Sequence, residues 1–176
     1  MKNQKAVRAL TTIVVLALFP AVLLAQGSAK NPLEGTWKIT ESVVMGKDTS
    51  RTSNPQPSMV IFSQKHYSMM LVPGDKPRTL FKESNPTDKE KLEAFDSFIA
   101  NSGTYEVAGS TITVHPVVAK VPNFMAGGSA KYQFRIEGNT LWLNLKSADL
   151  NFRVGDKIVP ASGTQSENRL KLVRME

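Results

Sequence analysis

The 176-residue chain has no cysteine and only two histidines, His66 and His115. The first absence removes disulfides, thiol nucleophiles and thiolate zinc sites together, and with them lipid attachment through an N-terminal cysteine. Two scattered histidines cannot supply a metal-ligating set. Asp88, Glu90, Glu93 and Asp96 read as the solvated face of a helix, so neither a metal nor another cofactor is expected. A phosphate-cradling glycine loop is also missing, because Gly127-Gly128 follows Met125-Ala126 without the Lys-Ser/Thr pair that such a loop needs. No basic run exceeds two residues, and charges alternate with apolar residues instead of clustering on one face. That argues against nucleic acid as a partner.

Long apolar runs are scarce as well. The main one, Ile13 to Ala25, has thirteen residues, against about 20 for a helix that crosses a bilayer, and Pro20 interrupts it. Lys2, Lys5 and Arg8 precede it and small residues end it, the arrangement of a secretory signal. Residues 1–25 are therefore expected to be a signal peptide, cleaved after Ala25 or, as second choice, after Ala29. The protein is then exported, periplasmic or secreted, and meets the membrane only through that peptide before cleavage. The remaining chain has 19 basic against 15 acidic residues, a net charge of +4. It divides into a leading segment, 26–34, and one domain, 35–176, of a length suited to a single core.

What is present is β-strand periodicity. From Gly35 onward, short alternating segments are separated by turn residues, the pattern of an all-β sandwich or barrel. Eight strands are expected: Gly35–Met45, Ser58–Phe62, Tyr67–Val72, Thr104–Val107, Thr111–Val118, Lys131–Ile136, Leu141–Leu145 and Arg169–Arg174. Tyr132, Phe134 and Ile136 against Lys131, Gln133 and Arg135 give the clearest half-buried strand. Ala108-Gly109-Ser110 and Glu137-Gly138-Asn139 mark tight turns, and the polar stretch from Ser147 to Asn168 reads mostly as loop. Between the third and fourth strands the period lengthens, predicting one helix over Thr87–Asn101. Thr87 and Glu90 form its capping box, Leu92, Phe95, Phe98 and Ile99 its core-facing stripe, and Asn101 with Gly103 its stop. An exported chain without disulfides is stable by packing alone, which a closed barrel provides because no strand edge is left open.

Gly35-Thr36-Trp37 at the head of the first strand resembles the Gly-x-Trp opening of lipocalins and fatty-acid-binding proteins. The helix after the third strand sets the chain apart from the second group, whose two helices follow the first strand. More closely, Leu33 to Met175 resembles the bacterial lipocalin-like domain family. The resemblance rests on Leu33-Glu34-Gly35-Thr36-Trp37, Ser102-Gly103-Thr104-Tyr105-Glu106-Val107, Val121-Pro122-Asn123-Phe124 and Ile136-Glu137-Gly138-Asn139-Thr140-Leu141. It implies an eight-stranded antiparallel up-and-down barrel in which Trp37 plugs the closed end and an arginine of the last strand, Arg174, packs over it. At eight strands the interior is filled by side chains or holds one small ligand.

Alternation predicts an inward set of Trp37, Ile39, Ile61, Tyr67, Met69, Leu71, Tyr105, Ile112, Val114, Tyr132, Phe134, Leu143 and Leu172. Such a lining suits a small hydrophobic molecule, fatty-acid-like or similar, with the tyrosines as polar handles. Glu41 shares parity with Trp37 and is expected inside at the wet mouth. His115, beside the strand-breaking Pro116, would enter the cavity only if a bulge re-aims it. Phe124 and Met125 lie in an apolar loop that gates the mouth, contacts a membrane or folds back over the barrel. The candidate ligand-binding residues are thus Trp37, Ile39, Glu41, Tyr67, Met69, Tyr105, Val114, His115, Phe124, Tyr132, Phe134 and Leu143, with no assigned catalytic residue. Two other readings stay open: an isomerase- or cyclase-type enzyme using His115, Glu41 or a tyrosine as acid or base, and an interaction protein with a filled core.

Overall fold

A computed structural model describes residues 31–161 and 165–175; the expected signal peptide lies outside them. Ten strands and two short helices follow one another as β1 Gly35–Met45, β2 Ser50–Thr52, β3 Ser58–Phe62, β4 His66–Leu71, α1 Asp88–Asp96, β5 Ile99–Ala108, β6 Thr111–Ala119, α2 Pro122–Met125, β7 Ser129–Glu137, β8 Thr140–Val154, β9 Lys157–Pro160 and β10 Glu167–Arg174. Eight of them, β1, β3 to β8 and β10, pair antiparallel with their neighbours, and pairing of β10 with both β8 and β1 closes the ring. The fold is therefore the expected eight-stranded up-and-down barrel, with α1 between its third and fourth strands.

The strand directions place β1's start, the β3–β4 and β7–β8 turns and β10's end at one end of the barrel. The β1–β2 arm, α1, α2 and the β8–β9 hairpin gather at the other. The first end is closed. Leu33, Trp37, Leu141 and Leu172 there are fully buried, and Asn31 to Glu34, assigned above to a separate leading segment, turns beneath the barrel to supply that Leu33.

Three expectations need correction. The stretch Ser147–Asn168 is not mostly loop: β8 runs on to Val154 and returns as β9. Leu150 and Phe152 alternate with Asn151 and Arg153, a period-two signal submerged in polar neighbours. The third strand's phase is also reversed. Val60 and Phe62 are buried and Ile61 is not, because Val60 pairs with Met69 and Phe62 with Tyr67. Four consecutive apolar residues, Met59 to Phe62, carry no alternation from which that phase can be read. The helix is shorter than expected. Its capping box forms, but it ends at Asp96 and β5 begins at Ile99, opposite Leu71.

The helix's apolar stripe does not enter the core. No α1 residue is buried, and Leu92 and Phe95 are 61% and 46% exposed. Polar straps hold it instead: Arg78 donates to the Ala94 carbonyl at 3.0 Å and lies over Phe98, while Lys120 donates to the Phe95 carbonyl and sits over its ring.

Irregularities in three strand pairs shift the alternation of the wall. One lies at Thr40, between Ile39 and Glu41. A second lies where Gly103 meets Pro116 while Ser102 meets Val118. The strands approach so closely there that a Cβ on Gly103 would stand 2.1 Å from the His115 carbonyl. Only glycine fits that position.

Candidate functional site

At the closed end the plug is held by hydrogen bonds within the protein. Trp37 donates its indole N–H to the Leu33 carbonyl at 2.8 Å, and the Arg174 guanidinium lies 4.1 Å over the indole ring. Arg174 also donates to the carbonyls of Glu34 and Pro32. The Tyr105 hydroxyl donates to the Ser63 carbonyl at 2.6 Å and accepts from Asn31 at the same distance, while its ring meets Phe62 edge-on. Burial raises the Tyr105 pKa, partly offset by the Asn31 bond. Of the three expected tyrosine handles, this one is occupied in binding the β3–β4 turn to the N-terminal segment.

Tyr67 is different. It is 2% exposed, and its hydroxyl has no hydrogen-bond partner among the described residues. It alternates with Met69 on the inner face of β4, opposite Phe62 and Gly103. Burial pushes its pKa well above the usual phenol value, with Tyr132 adding to the rise from within electrostatic reach. Tyr132 itself is pushed up to about 12 by burial. Both phenols therefore stay protonated and are donors at any physiological pH.

Around and above Tyr67 the wall is apolar. Ile39, Met69, Val114 and Leu143 are buried, and Tyr132 and Phe134 are partly buried against them. Toward the open end come Leu71, Ala119 and Leu145, only half covered. Asn101 also faces inward there, opposite Met69 and Ala119. The sequence reading missed it, because that residue stood in the expected helix. Phe124 is buried on α2 and packs on Phe152, whereas its neighbour Met125 is 45% exposed. The segment thus folds back over the barrel, and Phe124 belongs to the core beneath the mouth and not to an exposed gate.

Glu41 and His115 do not line the interior. The bulge at Thr40 sets Glu41 opposite Lys171, whose neighbours Leu170 and Leu172 are buried. Glu41 is accordingly on the outer wall, where it pairs with Arg51 at 3.4 Å. On β6 a bulge is present, but beyond His115: Pro116 is buried and His115 is left exposed, opposite Thr104. His115 and Glu41 thus stand outside the barrel on strands that are not neighbours, and of the expected acid–base candidates only the tyrosines face the interior.

Two clefts mark the outer surface. One, about 470 Å³, separates segment 72–81 from α1. The other, about 600 Å³, runs over β1, β10, β8 and β7, where Arg135 stacks on Trp142 and the Asn144 Oδ1 is buried without a partner. Among the described residues, no group of three His, Cys, Asp or Glu could hold a metal ion, and no helix is long and apolar enough to cross a membrane.

Among curated proteins, none matches this sequence significantly. Residues 34–159, from the residue before β1 to Val159 within β9, match the model of the lipocalin-like domain family; β10, which closes the ring, follows the matched segment. With a match over most of its length and a closed eight-stranded barrel to go with it, the chain belongs to the lipocalin-like domain family.

Proposed function

We propose that the barrel binds a small hydrophobic molecule that enters at the open end and rests on the inner wall around Tyr67, Met69, Tyr132 and Phe134. The family's fold suggests small-molecule binding, and one observation on this chain carries the reading further. The inner wall is mainly apolar and carries no buried charge among the described residues from the fully buried base up to Leu71, Ala119 and Leu145, which remain partly exposed. Covering that surface with a ligand is favourable by roughly 25 cal/mol for each Å² taken from water. The N-terminal segment supports action outside the cytoplasm, as an exported carrier with no role for nucleic acid. Native mass spectrometry of the protein purified from its own source tests both parts. A co-purifying small molecule and a chain beginning at Gln26 or Lys30 are the expected result. A bare protein that also fails to take up any apolar probe would refute the carrier.

A further inference from the structure

Building on that binding reading, we infer that the ligand is uncharged and presents a hydrogen-bond acceptor, such as an ester, ketone or alcohol oxygen, to the Tyr67 hydroxyl.

The first ground is the orphan hydroxyl. Tyr67 is almost completely buried on the inner face, and among the described residues no group accepts its proton. A buried donor without a partner carries a desolvation cost that a ligand acceptor relieves. The raised pKa leaves the phenol a donor and never a competing anion.

The second ground is the charge of the wall. Among the described residues no charged side chain is buried. Between base and mouth the inward polar groups on the described strands are neutral, among them Tyr67, Tyr132, Asn101, the bonded pair Ser42 and Asn168, and Ser58, whose hydroxyl already accepts from the Ile39 N–H at 2.9 Å. Among the described strand residues the one cation at inward parity, Arg174, lies at the base and is committed to Trp37 and two backbone carbonyls. At the mouth, Lys120 is engaged by the Phe95 carbonyl and ring, and Arg78 by α1. A carboxylate on Tyr67 would find an acceptor's partner but no counter-charge, and an unpaired buried charge is far costlier than a neutral acceptor. The expected ligand class thereby narrows from fatty-acid-like molecules to their neutral counterparts.

Three probes that share one alkyl chain separate these grounds: dodecane, methyl dodecanoate and dodecanoate. Each is measured on the intact protein at neutral pH by displacement of the neutral fluorophore N-phenylnaphthylamine. The ester is expected to bind at least about tenfold more tightly than the carboxylate. Tyr67→Phe, which retains the ring, is expected to weaken the ester about three- to tenfold and to leave dodecane unchanged. Dodecanoate binding as tightly as the ester, or Tyr67→Phe shifting all three probes alike, overturns this inference while the hydrophobic carrier stands. If neither the fluorophore nor any of the three probes binds, the carrier itself fails and this inference with it.

Discussion

The two ends of the barrel are built from the same alternating strands but end differently. At the closed end a tryptophan, an arginine and a tyrosine each have their polar atoms bonded within the protein: Trp37 to Leu33, Arg174 to Glu34 and Pro32, Tyr105 to Ser63 and Asn31. Above that bonded layer Tyr67, near the start of β4, has a buried hydroxyl with no partner among the described residues, inner-wall residues toward the open end are only partly buried, and the helix there carries its apolar stripe to solvent. The difference separates what the barrel needs in order to fold from what it keeps available. Saturated polar groups and full burial make the base the stabilising half. The unsaturated half contributes less to stability and offers the contacts a ligand would complete.

Breaking the base should therefore cost more than any change above it. Trp37→Ala removes the plug and the surface under Arg174, and is expected to destabilise the protein by about 4 kcal/mol in chemical denaturation, a large share of a domain's usual stability. A loss below 1 kcal/mol would mean that the base is not the stabilising half. Next in size is Tyr105→Phe. It leaves the Ser63 carbonyl and Asn31 short of a partner and should cost about 1.5 kcal/mol. The same substitution at Tyr67 sharpens the contrast by reversing sign: loss of an unpartnered hydroxyl should make the unliganded protein about 1 kcal/mol more stable, visible as a higher melting temperature. Destabilisation by Tyr67→Phe would show that this hydroxyl is satisfied after all. The smallest effect is expected at Leu92→Ala on α1, within about 0.5 kcal/mol, since that side chain is mostly exposed. A larger loss would mean that the helix packs on the barrel in solution.

Much of the fold was legible because period-two alternation with one apolar face is local. Lys131 to Ile136 and Leu141 to Leu145 announce both their state and their inward side, and the glycines at the tight turns announce the hairpins. Legibility failed where alternation was absent or interrupted. Met59 to Phe62 has none, so only pairing with β4 selected its inner face. Leu150 and Phe152 alternate, but among residues polar enough to resemble a loop. The α1 stripe has helical spacing, yet spacing does not say whether a surface lies beneath it.

The site residues divide along the same line. Trp37, Tyr67, Met69, Tyr132 and Phe134 stand on regular strand segments, where parity counted along the chain finds the inner face. Glu41 does not, because one extra residue at Thr40 reverses the parity of everything after it. At Pro116 the bulge follows His115 and does not re-aim it. Nor does any local pattern show that Tyr105 spends its hydroxyl on the base while Tyr67 keeps one free. By itself, then, the sequence determined the eight strands of the ring, their antiparallel barrel and its tryptophan plug, because these follow from local periodicity and one short motif. Bulge positions, the fate of each buried hydroxyl and the commitment of the inward Arg174 to the base were decided only by tertiary structure, because each depends on what a distant strand places opposite.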